Sequence, residues 1–168
     1  MKSLKFARLA AIAAVATLST AAFAGDTATL NVQASVTGTC KLYADSSATA
    51  VTAPFSMDFG AIDPLGTADA TKSTTVYFKC SKGTSGVTFA VGGTTDGSAG
   101  YSDSLTGAGG AAGTTLPFSI TWATPTTFNG FGVAPQTITL NGKILKTDYA
   151  IANAGTYSKT GVTLAINP

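Results

Sequence analysis

The chain contains no histidine and no glutamate, and its only arginine is Arg8. These gaps remove much of the usual catalytic inventory. Without His or Glu there is no ordinary general base, no imidazole metal ligand and no Ser-His-Asp triad. A Cu/Zn dismutase, a sandwich enzyme of similar size, needs several His and is excluded. Charge is sparse, at 11% of residues. Cysteine is limited to Cys40 and Cys80. No apolar run reaches the roughly 20 residues of a membrane span, because Thr17, Ser19 and Thr20 interrupt the one at Leu9–Leu18.

That interrupted run reads as an address. Lys2, Lys5 and Arg8 form a basic start, an Ala-rich core follows, and Ala22-Phe23-Ala24 is a small-x-small cleavage site. Residues 1–24 are expected to be a signal peptide, and the exported chain is expected to begin at Gly25 as a single domain, residues 25–168. Three of the ten basic residues leave with the first 24, so seven remain against eight Asp and the formal net charge becomes −1. That balance offers no electrostatic case for nucleic acid or anionic membrane as a partner. In an exported chain Cys40 and Cys80 are expected to form a disulfide, which would close a long loop. Their wide spacing and the missing His argue against a metal pair.

Period-two alternation recurs along the chain, with turn signals between. From Thr27 to Val36, Ala28, Leu30, Val32, Ala34 and Val36 fall on one side and Thr29, Asn31, Gln33 and Ser35 on the other. This predicts a strand with one dry face, tethered at one end only, able to complete its own sheet or a neighbour's. Similar alternation marks Phe55–Phe59, Thr74–Cys80, Val87–Val91 and Leu116–Trp122. Ile138 and Leu140 lead into Asn141-Gly142, a favoured hairpin signal. Val162–Ile166 makes a last strand. Gly92–Thr115 reads as a mobile surface loop, since it lacks the ending of a phosphate loop. The whole predicts an all-β sandwich of about seven or eight short strands.

Few residues remain as candidates for chemistry. Ser81-Lys82 and Ser158-Lys159 are formal Ser-Lys dyads, but adjacent strand residues point to opposite faces. Asp58 and Asp63, and Asp96 and Asp103, read as turn formers rather than acid–base pairs. Asp96-Gly97-Ser98 does not match a calcium loop. Phe89, Phe118 and Trp122 occupy alternating positions expected to be core. No enzyme, metal or cofactor is expected.

Several segments in order resemble the spore coat protein U domain, a family that includes major subunits of archaic chaperone–usher pili. They are Val36-Thr37-Gly38-Thr39-Cys40, Phe59-Gly60 with Asp63-Pro64, Thr74 to Cys80, Leu116-Pro117-Phe118-Ser119-Ile120, and Ala154-Gly155-Thr156-Tyr157-Ser158 before the terminal strand. The chain departs from the family in having no Arg before the Leu-Pro strand, Lys159 where Asp is usual, and Asn167-Pro168 at its end. The resemblance implies an incomplete immunoglobulin-like sandwich that lacks its last strand. It implies a hydrophobic groove filled first by a periplasmic chaperone and then, after an outer-membrane usher, by the N-terminal strand of the next copy. Residues 27–36, with Ala28, Leu30, Val32, Ala34 and Val36 as the stripe, would be the donor. Val162, Leu164 and Ile166 would border the acceptor groove. The expected product is a homopolymeric pilus or coat at the cell surface, with no small-molecule substrate. The alternatives are a coat protein that exchanges strands without forming a pilus, and a monomeric secreted carbohydrate-binding sandwich.

Overall fold

The computed structural model describes residues 28–49 and 55–168. The expected signal peptide at 1–24, the start at Gly25 and Thr27 of the alternating segment lie outside the described residues. The chain divides after Ser35, and residues 36–168 form one body.

That body is all-β. Its strands are β1 (Cys40–Tyr43), β2 (Ala70–Cys80), β3 (Thr88–Val91), β4 (Tyr101–Ala108), β5 (Thr115–Thr121), β6 (Gln136–Ile144), β7 (Thr156–Ser158) and β8 (Leu164–Asn167). A single helical turn, α1 (Lys146–Tyr149), lies between β6 and β7. Six strands make one antiparallel sheet in the order β1-β2-β6-β5-β4-β7, and β3 and β8 make a second, two-stranded sheet.

Alternation becomes packing most directly in β2 and β5. Val76, Phe78 and Cys80 of β2, and Leu116, Phe118 and Ile120 of β5, are buried while their neighbours are not. Ile138, Leu140 and Ile144 of β6 complete this inner face, and Phe89 and Val91 of β3 press on it. Burying a side chain of this size contributes roughly 1.5–3 kcal/mol. Trp122, just past β5, is buried and meets Phe89 edge-on, with ring centroids 6.0 Å apart. Cys40 and Cys80 stand opposite each other in the β1–β2 register and are joined by a disulfide.

Several sequence expectations are corrected. Asn141-Gly142 is not a hairpin turn. Both residues lie inside β6 and pair on both sides, Asn141 with Ser73 and Thr121, Gly142 with Lys72 and Ile120. Two ladders override a local turn preference. Gly92–Thr115 is not simply a loop, because β4 runs through it and pairs with β5 and β7. Phe55–Phe59 has no strand, although Phe55, Met57 and Phe59 are half-buried and Ser56 and Asp58 exposed, as alternation requires. The terminal strand begins at Leu164 rather than Val162.

Residues 28–37 carry no regular secondary structure, and Leu30, Val32 and Val36 are 84%, 81% and 90% exposed. A segment with strand periodicity but no ladder has nothing to hold it as a strand.

Candidate functional site

The two sheets are unequal, and the site follows from that inequality. A face six strands wide cannot be covered by two. β8 bonds to β3 on one edge, and among the described residues its other edge carries no strand. At the start of β8 lies a mainly apolar cavity of about 470 Å³. Its floor is the inner face of the large sheet, with Leu140 of β6, Phe118 and Ile120 of β5 and Leu105 of β4. Val162 and Leu164 line one side. Phe55, Met57 and Phe59 line it as well.

Of the three residues expected to border an acceptor groove, Val162 and Leu164 line this cavity. Ile166 does not line this cavity; it pairs opposite Phe89 and packs on the core. Ala28, Leu30, Val32, Ala34 and Val36 are all exposed.

The approach of Phe55–Phe59 to the floor depends on Gly142. Its side-chain position faces inward, and a Cβ there would stand 2.2 Å from Met57 Sδ and 2.8 Å from Phe59 Cζ. This Gly is an interior strand residue that lets another segment come close. Thr74 Oγ1 donates to the Ser56 carbonyl at 3.0 Å and ties the segment to β2.

One charged cluster stands at this mainly apolar site. Lys159, which lines the cavity, places Nζ 2.8 Å from Asp103 Oδ2. The Tyr101 hydroxyl donates to the same oxygen, and the Ser104 amide donates to Oδ1 at 2.7 Å. The hydrogen bond from Lys159, and then that from Tyr101, hold the Asp103 carboxyl well below the usual carboxylate range. Its hydrogen bond to Asp103, and then burial, push the Tyr101 hydroxyl up to about 12.

Sequence reasoning took Asp103 for a turn former and set Lys159 beside Ser158. In the fold Asp103 is a strand residue, and it engages the Lys159 amine from 56 residues away. No local spacing could have signalled the pair. The cluster is an ion pair whose carboxylate also accepts from the Tyr101 hydroxyl and the Ser104 amide.

The other carboxylates behave as turn formers. Asp58 accepts from the Gly60 amide at 2.8 Å, Asp63 from the Leu65 amide at 2.9 Å, and Asp96 from the Ser98 amide at 2.9 Å. The Ser98 hydroxyl also donates to Asp96 and lowers its pKa. Among the described residues no group of three or more His, Cys, Asp or Glu could hold a metal ion. Among the described residues, too, no helix is long and apolar enough to cross a membrane.

Together these features define a two-sheet, all-β sandwich with an open apolar groove beside its terminal strand. Comparison of the chain with models of known families, with curated proteins and with solved structures returns no match.

Proposed function

We propose that this protein is a structural subunit of a surface pilus or coat, exported through the periplasm and assembled by donor-strand exchange. The observation that carries the reading is the apolar groove at the start of β8, a strand that among the described residues pairs with β3 alone, in a chain whose N-terminal segment displays an exposed apolar stripe of strand periodicity. Each side has what the other needs. The groove has apolar surface and a free strand edge, and the segment has alternating apolar side chains and a backbone with no ladder. Burying Leu30, Val32 and Val36 in a neighbouring copy would contribute roughly 1.5–3 kcal/mol apiece, before the cost of ordering the strand. A periplasmic chaperone and an outer-membrane usher, as the resemblance to the coat protein U family implies, would hold the groove until the next subunit arrives. The subunit needs no cofactor and performs no catalysis.

Val32→Arg tests the reading. The substitution would place an unpaired charge in an apolar groove, which costs far more than a lost methyl contact. Residues 36–168, with their disulfide, are untouched. The variant should be exported and soluble yet fail to polymerise, as read by electron microscopy and size-exclusion chromatography of secreted material. Fibres of normal yield from Val32→Arg would refute donation of this segment.

A further inference from the structure

We infer that Asn129-Gly130 is a site of self-modification, at which the side-chain amide of Asn129 is lost as ammonia and a carboxylate takes its place. The inference is independent of the strand-exchange reading and adds a second charge state to the chain.

The chemistry needs no enzyme and no cofactor. The Gly130 main-chain nitrogen, giving up its proton to water or hydroxide, attacks Asn129 Cγ. The Cγ–Nδ2 bond breaks, ammonia leaves and a cyclic imide closes. Water then opens the imide at either carbonyl, giving aspartate or isoaspartate. One water is consumed and one ammonia released, with no oxidation or reduction. Gly is the most permissive second residue, because no Cβ shields its nitrogen.

The sequence contains two such pairs, Asn129-Gly130 and Asn141-Gly142. Both Asn side chains are exposed, so access of water does not separate them. The backbone does. Asn141-Gly142 lies inside β6, between ladders to β2 and β5, and the Ser73 hydroxyl donates to Asn141 Oδ1 at 2.9 Å. Closing the imide there would turn the main chain out of both ladders. Asn129-Gly130 lies in the connection from β5 to β6, outside any strand. The Asn129 main-chain N–H donates to Gln136 Oε1 at 3.1 Å, which holds the segment from one side. Beyond that point neither the Asn129 side-chain amide nor the Gly130 N–H has a hydrogen-bond partner among the described residues. The nitrogen and the carbon that must meet are unencumbered.

Charge favours the same place. Lys79 Nζ donates to the Phe131 carbonyl at 3.2 Å, one residue beyond Gly130. The Lys82 side chain starts beside Gly130, where an added Cβ would stand 3.3 Å from Lys82 Cβ. Lys41 faces Lys79 across the β1–β2 register. Among the described residues none of these three lysines forms an ion pair; the pairs present are Lys143–Asp69 and Lys159–Asp103. Attack by the Gly130 nitrogen builds negative charge on the loop, and ammonium groups already in place stabilise it. The resulting carboxylate would stand beside lysines that lack a counter-charge. In residues 25–168, seven Lys then face eight Asp and one new carboxylate, a formal net charge of −2.

The test is to incubate the full-length secreted protein at mildly alkaline pH, folded and in urea with reductant, and to locate the mass gain of about 1 Da by tandem mass spectrometry. In the folded protein Asn129 should convert at least about 10-fold faster than Asn141, because the strand interior reacts only on opening. In urea the two should convert at similar rates. Lys79→Gln should slow Asn129 by about 3-fold in the folded protein and leave the rate in urea unchanged, the effect of one exposed charge. Asn129→Gln should abolish the gain at this position. Equal rates at the two pairs in the folded protein, or an Asn129 that converts in urea alone, would overturn the site. A folded-state rate unmoved by Lys79→Gln would remove the lysine from the reaction and leave the open loop as its cause.

Discussion

Replacing Gly142 by Ala probes the groove from its floor. The new Cβ would sit 2.2 Å from Met57 Sδ, 2.8 Å from Phe59 Cζ and 3.3 Å from the Lys72 carbonyl oxygen. The first two neighbours belong to the segment over the groove, and the third is the backbone of β2. Met57 is flexible and can swing away, but Lys72 is fixed by its ladder to β6. Inserting a methylene into a packed interior costs about 1–3 kcal/mol. Ala in a strand is favoured over Gly by roughly 0.5–1 kcal/mol, which offsets part of that cost. The net loss should be about 1–2 kcal/mol, or roughly 2–8 °C in Tm for a chain of this length. Trp122, the only tryptophan and a buried one, reports unfolding by fluorescence in a urea titration. The decisive comparison is the same substitution made in Met57→Ala. With the sulfur gone the main clash is gone, so the cost should fall by at least about 0.5 kcal/mol, a coupling expected only of residues in contact. An unchanged cost in the two backgrounds, or a Gly142→Ala protein as stable as wild type, would show that residues 55–59 do not lie on β6.

Two further outcomes are expected. The Asp103 carboxyl has its pKa lowered by folding, so its stabilising contribution is full above the unfolded value of about 3.9 and is lost as pH falls below it. Tyr101 is raised from about 10 in the unfolded chain to about 12, so its contribution is full below pH 10 and is lost between those values. The urea midpoint should therefore drop at both limits, Asp103→Asn should flatten the acid limb, and Tyr101→Phe the alkaline one; identical profiles for wild type and variants would remove the cluster from the account. Reducing Cys40–Cys80, whose partners lie 40 residues apart, should cost about 4 kcal/mol on the chain-entropy estimate, read as a lower urea midpoint with reductant present, and an unreduced mass showing two free thiols would contradict the bond.

Much of the fold was legible because its central strands are simple. Thr74–Cys80 and Leu116–Trp122 alternate without interruption, and each became a strand with its apolar residues inward. The cysteines were legible for a different reason, since two thiols in a chain expected to be exported have few fates. Legibility ended where partners are distant. The inward positions of β4 hold Tyr101, Asp103, Leu105 and Gly107, a mixture that no hydrophobic pattern marks as a strand. Asp103 is tolerated there because Lys159 answers it, and Gly107 because a Cβ would meet the Ala111 carbonyl at 2.2 Å. Asn141-Gly142 carries a turn preference that ladders on both edges override. At the groove, Val162 and Leu164 were readable from their own alternation. The part played by Phe55–Phe59 was not, because periodicity gives the direction of side chains and says nothing about whether a backbone has found a partner.

The place of the disulfide has a mechanical consequence. β1 is a four-residue edge strand, and the chain enters it from the N-terminal side at Cys40, where the covalent link to β2 stands. Tension on the N-terminal segment would otherwise meet the β1 hydrogen bonds one after another, the geometry in which a short edge strand unzips. With the link at the first pair, the load bypasses Lys41–Tyr43 and passes into the longest strand of the sheet, which is bonded to β6 over nine residue pairs. A pull at residue 39 is therefore passed to a strand inside the sheet rather than to its margin.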